Sequence, residues 1–161
     1  MTLSSKYKEQ VETLLELLPL ISSNKHFAIK GGTAINLFLL NLPRLSVDID
    51  LCYVPLSARD QALQEISSFI KELSRRANAI GFKTREKTTL EGYESTLYVR
   101  SRKNAEVKVE INLVVRGAVN KPVVKSLVPL AVSMLERNAE TLCLDTNDLF
   151  GGKPCAALDR H

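Results

Sequence analysis

The run Ser46-Val47-Asp48-Ile49-Asp50-Leu51 constrains this chain more than any other. Polar and apolar residues alternate through it, as they do along a strand with one buried face. Residues two apart on a strand point to the same side, so Asp48 and Asp50 share a face. Two carboxylates side by side repel each other, and burying them unpaired is costly. A divalent cation removes that cost, and hard oxygen donors of this kind suit magnesium or manganese.

Upstream lies Lys30-Gly31-Gly32-Thr33, separated from the aspartates by the length of one short helix. Phe27-Ala28-Ile29 reads as a strand that runs into a tight turn. Thr33 to Leu40 reads as a short, mostly buried helix, closed by Pro43, because the residue before proline disfavours the helical region. Gly31 and Gly32 lack Cβ atoms, so their backbone N–H groups can come close to a phosphate. A helix starting at Thr33 aims its positive end at the same spot, and the Thr33 hydroxyl adds a donor. Arg44 can fork onto phosphate oxygens, with Lys30 as a second nearby cation.

Apolar residues at helical spacing predict a helix from Ser5 to Ile21 and a longer one from Ala58 to Ile80, which Gly81 ends. Strands are expected over Asp48–Val54, Phe82–Thr88, Tyr93–Ser101, Glu106–Val115 and Glu140–Leu144, with hairpin turns at Gly92 and at Arg102-Lys103-Asn104. Pro122 and Pro129 break the segment 117–138, which reads as no single element. Within Val107–Leu113 the valines, Ile111 and Leu113 fall on one face, and Lys108, Glu110 and Asn112 on the other. If this strand neighbours that of Asp48 and Asp50, Glu110 becomes a third carboxylate. Three are enough to hold two metal ions roughly 3.5–4 Å apart, the arrangement for in-line attack on phosphorus.

The expected fold class is α/β: a small mixed β-sheet with the two long helices packed on it and its carboxylates at one edge of a cleft. At 161 residues, 45% of them apolar, the chain has the size of about one domain with a sizeable core. The main domain would occupy residues 1–146. Residues 147–161 look like the start of a C-terminal helical region that is cut short. The net charge of +4 is compatible with a polyanionic substrate such as a nucleoside triphosphate or RNA. No stretch approaches the ~20 apolar residues of a membrane span, and the N-terminus lacks the apolar core of a signal peptide. Cys52, Cys143 and Cys155 are odd in number and far apart, and read as reduced thiols of a cytoplasmic protein.

Taken singly, a D-x-D, a glycine pair or a strand glutamate is commonplace. In combination, Lys30-Gly31-Gly32-Thr33-Ala34 followed by Arg44-Leu45-Ser46-Val47-Asp48-Ile49-Asp50-Leu51 resembles the polymerase-β-type nucleotidyltransferase superfamily. Within it the chain is most similar to the AbiEii/AbiGii-type toxins, nucleotidyltransferases of bacterial toxin–antitoxin and phage-defence systems. The tail Asp148-Leu149-Phe150-Gly151-Gly152-Lys153-Pro154 resembles that group's third motif, in which a helical lysine is needed for activity. The resemblance implies that Gly32 and Thr33 contact the triphosphate and that Asp48 and Asp50 bind metal. It also implies that Glu110 completes the carboxylate set and that Lys153 reaches the phosphates or the reacting hydroxyl. The group continues into an Arg-Asp motif absent here, and Pro154 stands where an aliphatic residue is usual. These departures lead to the expectation that this chain alone is not a complete enzyme.

The function expected is metal-dependent transfer of a nucleoside monophosphate from a triphosphate to a hydroxyl of RNA (such as tRNA) or protein, in a toxin with an antitoxin partner. Two alternatives remain open at this stage. One is a catalytically silent nucleotide- or antitoxin-binding module of the same fold. The other is a nucleotidyltransferase for a small molecule of the aminoglycoside kind.

Overall fold

The computed structural model describes residues 4–41, 46–88 and 94–151. Helix α1 (Ser5–Ser22) starts where Ser4 Oγ accepts a hydrogen bond from Tyr7 N (3.3 Å) and buries Val11, Leu14, Leu15, Leu18 and Ile21, the residues at helical spacing. Strand β1 (Phe27–Lys30) leads into α2 (Gly31–Phe38), then β2 (Ile49–Tyr53) and the long helix α3 (Arg59–Ala79). Three strands follow, β3 (Lys83–Thr88), β4 (Glu94–Arg100) and β5 (Glu106–Asn112). Last come β6 (Val123–Ser126), α4 (Pro129–Leu135) and β7 (Glu140–Cys143).

The strands form one seven-stranded mixed sheet in the order β3-β4-β5-β2-β1-β7-β6. β2 runs antiparallel to β1 and parallel to β5, so the two strands expected to be neighbours are neighbours. β5 shows strict alternation: Val107, Val109 and Ile111 are buried, while the residues between them are half-buried. The apolar face of the sheet carries α1 and α3. Phe27 of β1 stacks on Phe69 of α3 with ring centroids 3.8 Å apart. Ser74 of α3 and Thr84 of β3 hydrogen-bond at 2.7 Å, and Ser22 of α1 meets Thr141 of β7 at 2.8 Å. The opposite face carries the polar residues of β2 and β5.

Several boundaries differ from those expected. α2 begins at Gly31, two residues before Thr33, and closes when Leu40 N turns back to Ile35 O (2.7 Å). β5 stops at Asn112 because the Asn112 side chain accepts hydrogen bonds from the backbone N–H groups of Val114 and Val115 (2.8 and 2.7 Å), which turns the chain off the ladder. Asn112→Ala is expected to cost about 1 kcal/mol, a fall of about 2–4 °C in melting temperature for a domain of this size. An unchanged melting curve would show that this side chain does not hold the strand end. The proline-broken segment contains both elements that its composition obscured. Pro122 immediately precedes β6, and Pro129 opens α4 at its first turn, where its missing N–H is not needed. The expected Gly92 turn and the closing role of Pro43 lie outside the described residues.

Candidate active site

The site is built from the end of β1, the bend into α2 and the polar edges of β2 and β5. Gly31 has φ +71°, a left-handed conformation that other residues adopt only with strain. A Cβ on Gly31 would run into Asp50 Oδ2 and lie 3.2 Å from Asp50 Cγ. The bend is therefore glycine because it presses backbone against the second aspartate. A Cβ on Gly32 would meet Ser46 Oγ at 3.2 Å. Thr33 is fully buried; its hydroxyl donates to the Asp48 carbonyl and lies 3.1 Å from Ser46 Oγ. Buried as it is, the hydroxyl finds partners inside the protein. It ties the first turn of α2 to the residue just before β2.

Across the sheet, Lys30, Asp50 and Glu110 are register partners on three adjacent strands, so their side chains leave the same face in one row. Thr96 of β4 extends the row on the far side of Glu110. Asp48 is exposed and sits two residues before Asp50, ahead of the first paired residue of β2. Burial, and then the charges of Glu110 and Asp48, push the Asp50 carboxyl up to about 6, while Lys30 works in the opposite direction. Asp50 and Glu110 are register partners on neighbouring strands, and the nearness of Glu110 is part of what raises the Asp50 carboxyl.

Two more groups converge on Glu110. Lys108, two residues before it on the same face, forms an ion pair with it and has its own pKa raised, first by that hydrogen bond. Glu94, at the start of β4, lies near enough that its pKa is raised by burial and then by the Glu110 charge. Sequence reasoning missed Glu94, although a signal was available. The β4–β5 hairpin turns on Lys103, and Glu94 and Asn112 are equidistant from that centre. Extending the hairpin register from its turn would have placed Glu94 one step from the carboxylate row. Arg44 and Lys153, both candidate site residues, lie outside the described residues.

The donor set suits a hard divalent cation. It consists of carboxylate oxygens on one face, close enough that their mutual repulsion raises a pKa, beside a bend that admits backbone to a ligand. As the side chains stand, no group of three His, Cys, Asp or Glu among the described residues is drawn together tightly enough to hold an ion. Lys108 is paired with Glu110 on that face.

Comparison with curated proteins finds no match. A family model described as "Nucleotidyl transferase AbiEii toxin, Type IV TA system" matches residues 13–161, most of the chain. The mixed sheet with helices on one face is consistent with a fold of the nucleotidyltransferase type. The glycine bend, the paired aspartates and the strand glutamate all fall within the matched span, and the chain belongs to the AbiEii nucleotidyl transferase toxins of type IV toxin–antitoxin systems.

Proposed function

We propose that the protein transfers a nucleoside monophosphate from a nucleoside triphosphate to a hydroxyl of RNA or of a protein side chain, with Mg²⁺ or Mn²⁺ as cofactor. The observation that carries this reading is the row Lys30–Asp50–Glu110 set against the Gly31 bend. The acceptor oxygen forms a bond to the α-phosphorus, and the bond from that phosphorus to the bridging oxygen breaks, releasing pyrophosphate. Asp48, Asp50 and Glu110 would hold the metal, which when bound neutralises charge on the phosphates and favours ionisation of the attacking hydroxyl. The backbone N–H groups of Gly31 and Gly32 would receive the triphosphate at the start of α2. Lys30 lies beside them as a cation for the same phosphates. The hydroxyl proton would leave to solvent or to a carboxylate oxygen of the row that does not hold the metal.

Arg44 and Lys153 complete the proposal as further cations for the triphosphate. An antitoxin is the partner that family membership points to. No described helix is long and apolar enough to cross a membrane.

The test is incubation with each labelled nucleoside triphosphate, magnesium, and total RNA or cell extract. Label on an acceptor together with pyrophosphate release is the expected result, and a chelator should return both to background. No labelled acceptor, together with no magnesium-dependent triphosphate binding by titration calorimetry, would overturn the reading.

A further inference from the structure

The carboxylate row continues into a basic surface that the site as described does not use. On the same face of the sheet, Arg85, Tyr98 and Lys108 form one cross-strand row, and Lys87 lies across β4 from Glu110. Lys83 and Arg100 are paired in a third row. Lys83, Arg85, Lys87 and Arg100 are exposed. Arg100 is held by Glu106 (2.9 Å) and Lys108 by Glu110, but among the described residues no ion pair engages Lys83, Arg85 or Lys87. The Arg85 guanidinium lies over the Tyr98 ring, 4.2 Å from its centroid. The surface is therefore a strip of cations, three of them in no ion pair among the described residues, with one flat stack in its middle. It begins three strand spacings from Asp50, about 14 Å at the usual sheet repeat.

We propose that this strip is the docking surface for a single-stranded stretch of an RNA acceptor. Phosphates lie on Lys83, Arg85 and Lys87, one base stacks on the Arg85–Tyr98 pair, and the strand end is directed along the sheet towards Asp50 and Glu110. The inference rests on the nucleotidyl-transfer reading and deepens it by choosing RNA over protein as the acceptor. Phosphate contacts from lysine and arginine supply sequence-independent affinity. Unpaired bases stack on aromatic rings or guanidinium planes. Cations on an edge strand also discourage edge-to-edge pairing. That function explains charges on β3 but not an aromatic ring on β4 with an arginine laid over it, one row along the same face from the carboxylates.

The test uses the full chain and a fluorescent, 3′-blocked oligouridine of about 12 nucleotides, within the site sizes of single-strand binders. Binding is read by anisotropy over a range of salt concentrations. The natural protein should bind. The variant K83Q/R85Q/K87Q, altered only at exposed positions, should keep its melting temperature. Its plot of log affinity against log salt should be shallower by about 2, at roughly 0.7 per lost phosphate contact. Tyr98→Leu should weaken binding about tenfold with the slope unchanged. No binding by the natural protein, or an unchanged slope in the triple variant, overturns the proposal and leaves the cations as edge protection. A labelled protein acceptor made in undiminished yield by the triple variant also overturns it. Magnesium-dependent triphosphate binding is measured in the same samples. Its presence in the natural protein with no role for the strip refutes this inference alone, and its absence refutes the transfer reading itself.

Discussion

Asp50→Asn is expected to melt at a higher temperature than the natural protein above pH 6 while losing nucleotidyl transfer. Asp50 is lifted from an ordinary value of 3.8 to about 6 by burial and by the neighbouring carboxylates, against the pull of Lys30. A carboxyl whose folded-state value exceeds its unfolded value binds its proton more tightly when folded. Its favourable contribution is complete below pH 3.8 and is lost as pH rises through about 6. At about 1.4 kcal/mol per pH unit, discounted for residual solvent contact, the ionised side chain costs about 2 kcal/mol at neutral pH. Asparagine has the same shape and carries no charge. Calorimetry in metal-free buffer should show a gain of about 4–8 °C at pH 8 that fades towards pH 4. Equal melting temperatures at pH 8 would show that the charge is not a burden. Under the transfer reading the same change removes a metal-holding oxygen. Several kcal/mol of lost transition-state stabilisation corresponds to a fall of about 10²–10⁴ in rate.

Gly31→Ala should do the opposite to stability and damage activity as well. The left-handed backbone costs a residue with a Cβ about 1–2 kcal/mol. The new methyl group must also displace the Asp50 carboxylate, which is packed against the bend. Crowding of this kind adds about 1–3 kcal/mol. A total near 3 kcal/mol lowers the melting temperature by about 10 °C. The displaced carboxylate should cost transfer about a hundredfold, the penalty of a shift near 1 Å at a reacting centre. Gly32→Ala serves as the comparison. Gly32 is not in the left-handed region, and its nearest obstacle is the Ser46 hydroxyl at 3.2 Å, so a small adjustment accommodates it. If the two variants melted alike, the bend would not be what makes Gly31 necessary.

Local chemistry made most of this architecture readable. The alternation through Val107–Leu113 put Glu110 on the polar face, and the ladder pairs it with Asp50. Gly81, with φ +98°, ends α3 as its position implied. What stayed hidden were consequences of pairing between distant segments. Nothing in Glu140–Cys143 states that it lies parallel to β1, or that β6 follows it to form the sheet edge. The threonine next to the glycines carried the same ambiguity. From sequence its hydroxyl is equally a ligand donor or an internal tie, and the tie to the Asp48 carbonyl becomes visible only in the fold. Lys108 read as one member of a polar face, yet it is the counter-ion that holds Glu110.

Because the Thr33 hydroxyl clasps the carbonyl of Asp48, the short helix and the strand it precedes form one mechanical piece. The surface that would receive a donor molecule and the acids that would handle its charge cannot drift apart independently. Their backbone spacing is set when the chain folds, and what is left for a ligand to rearrange is the side chains.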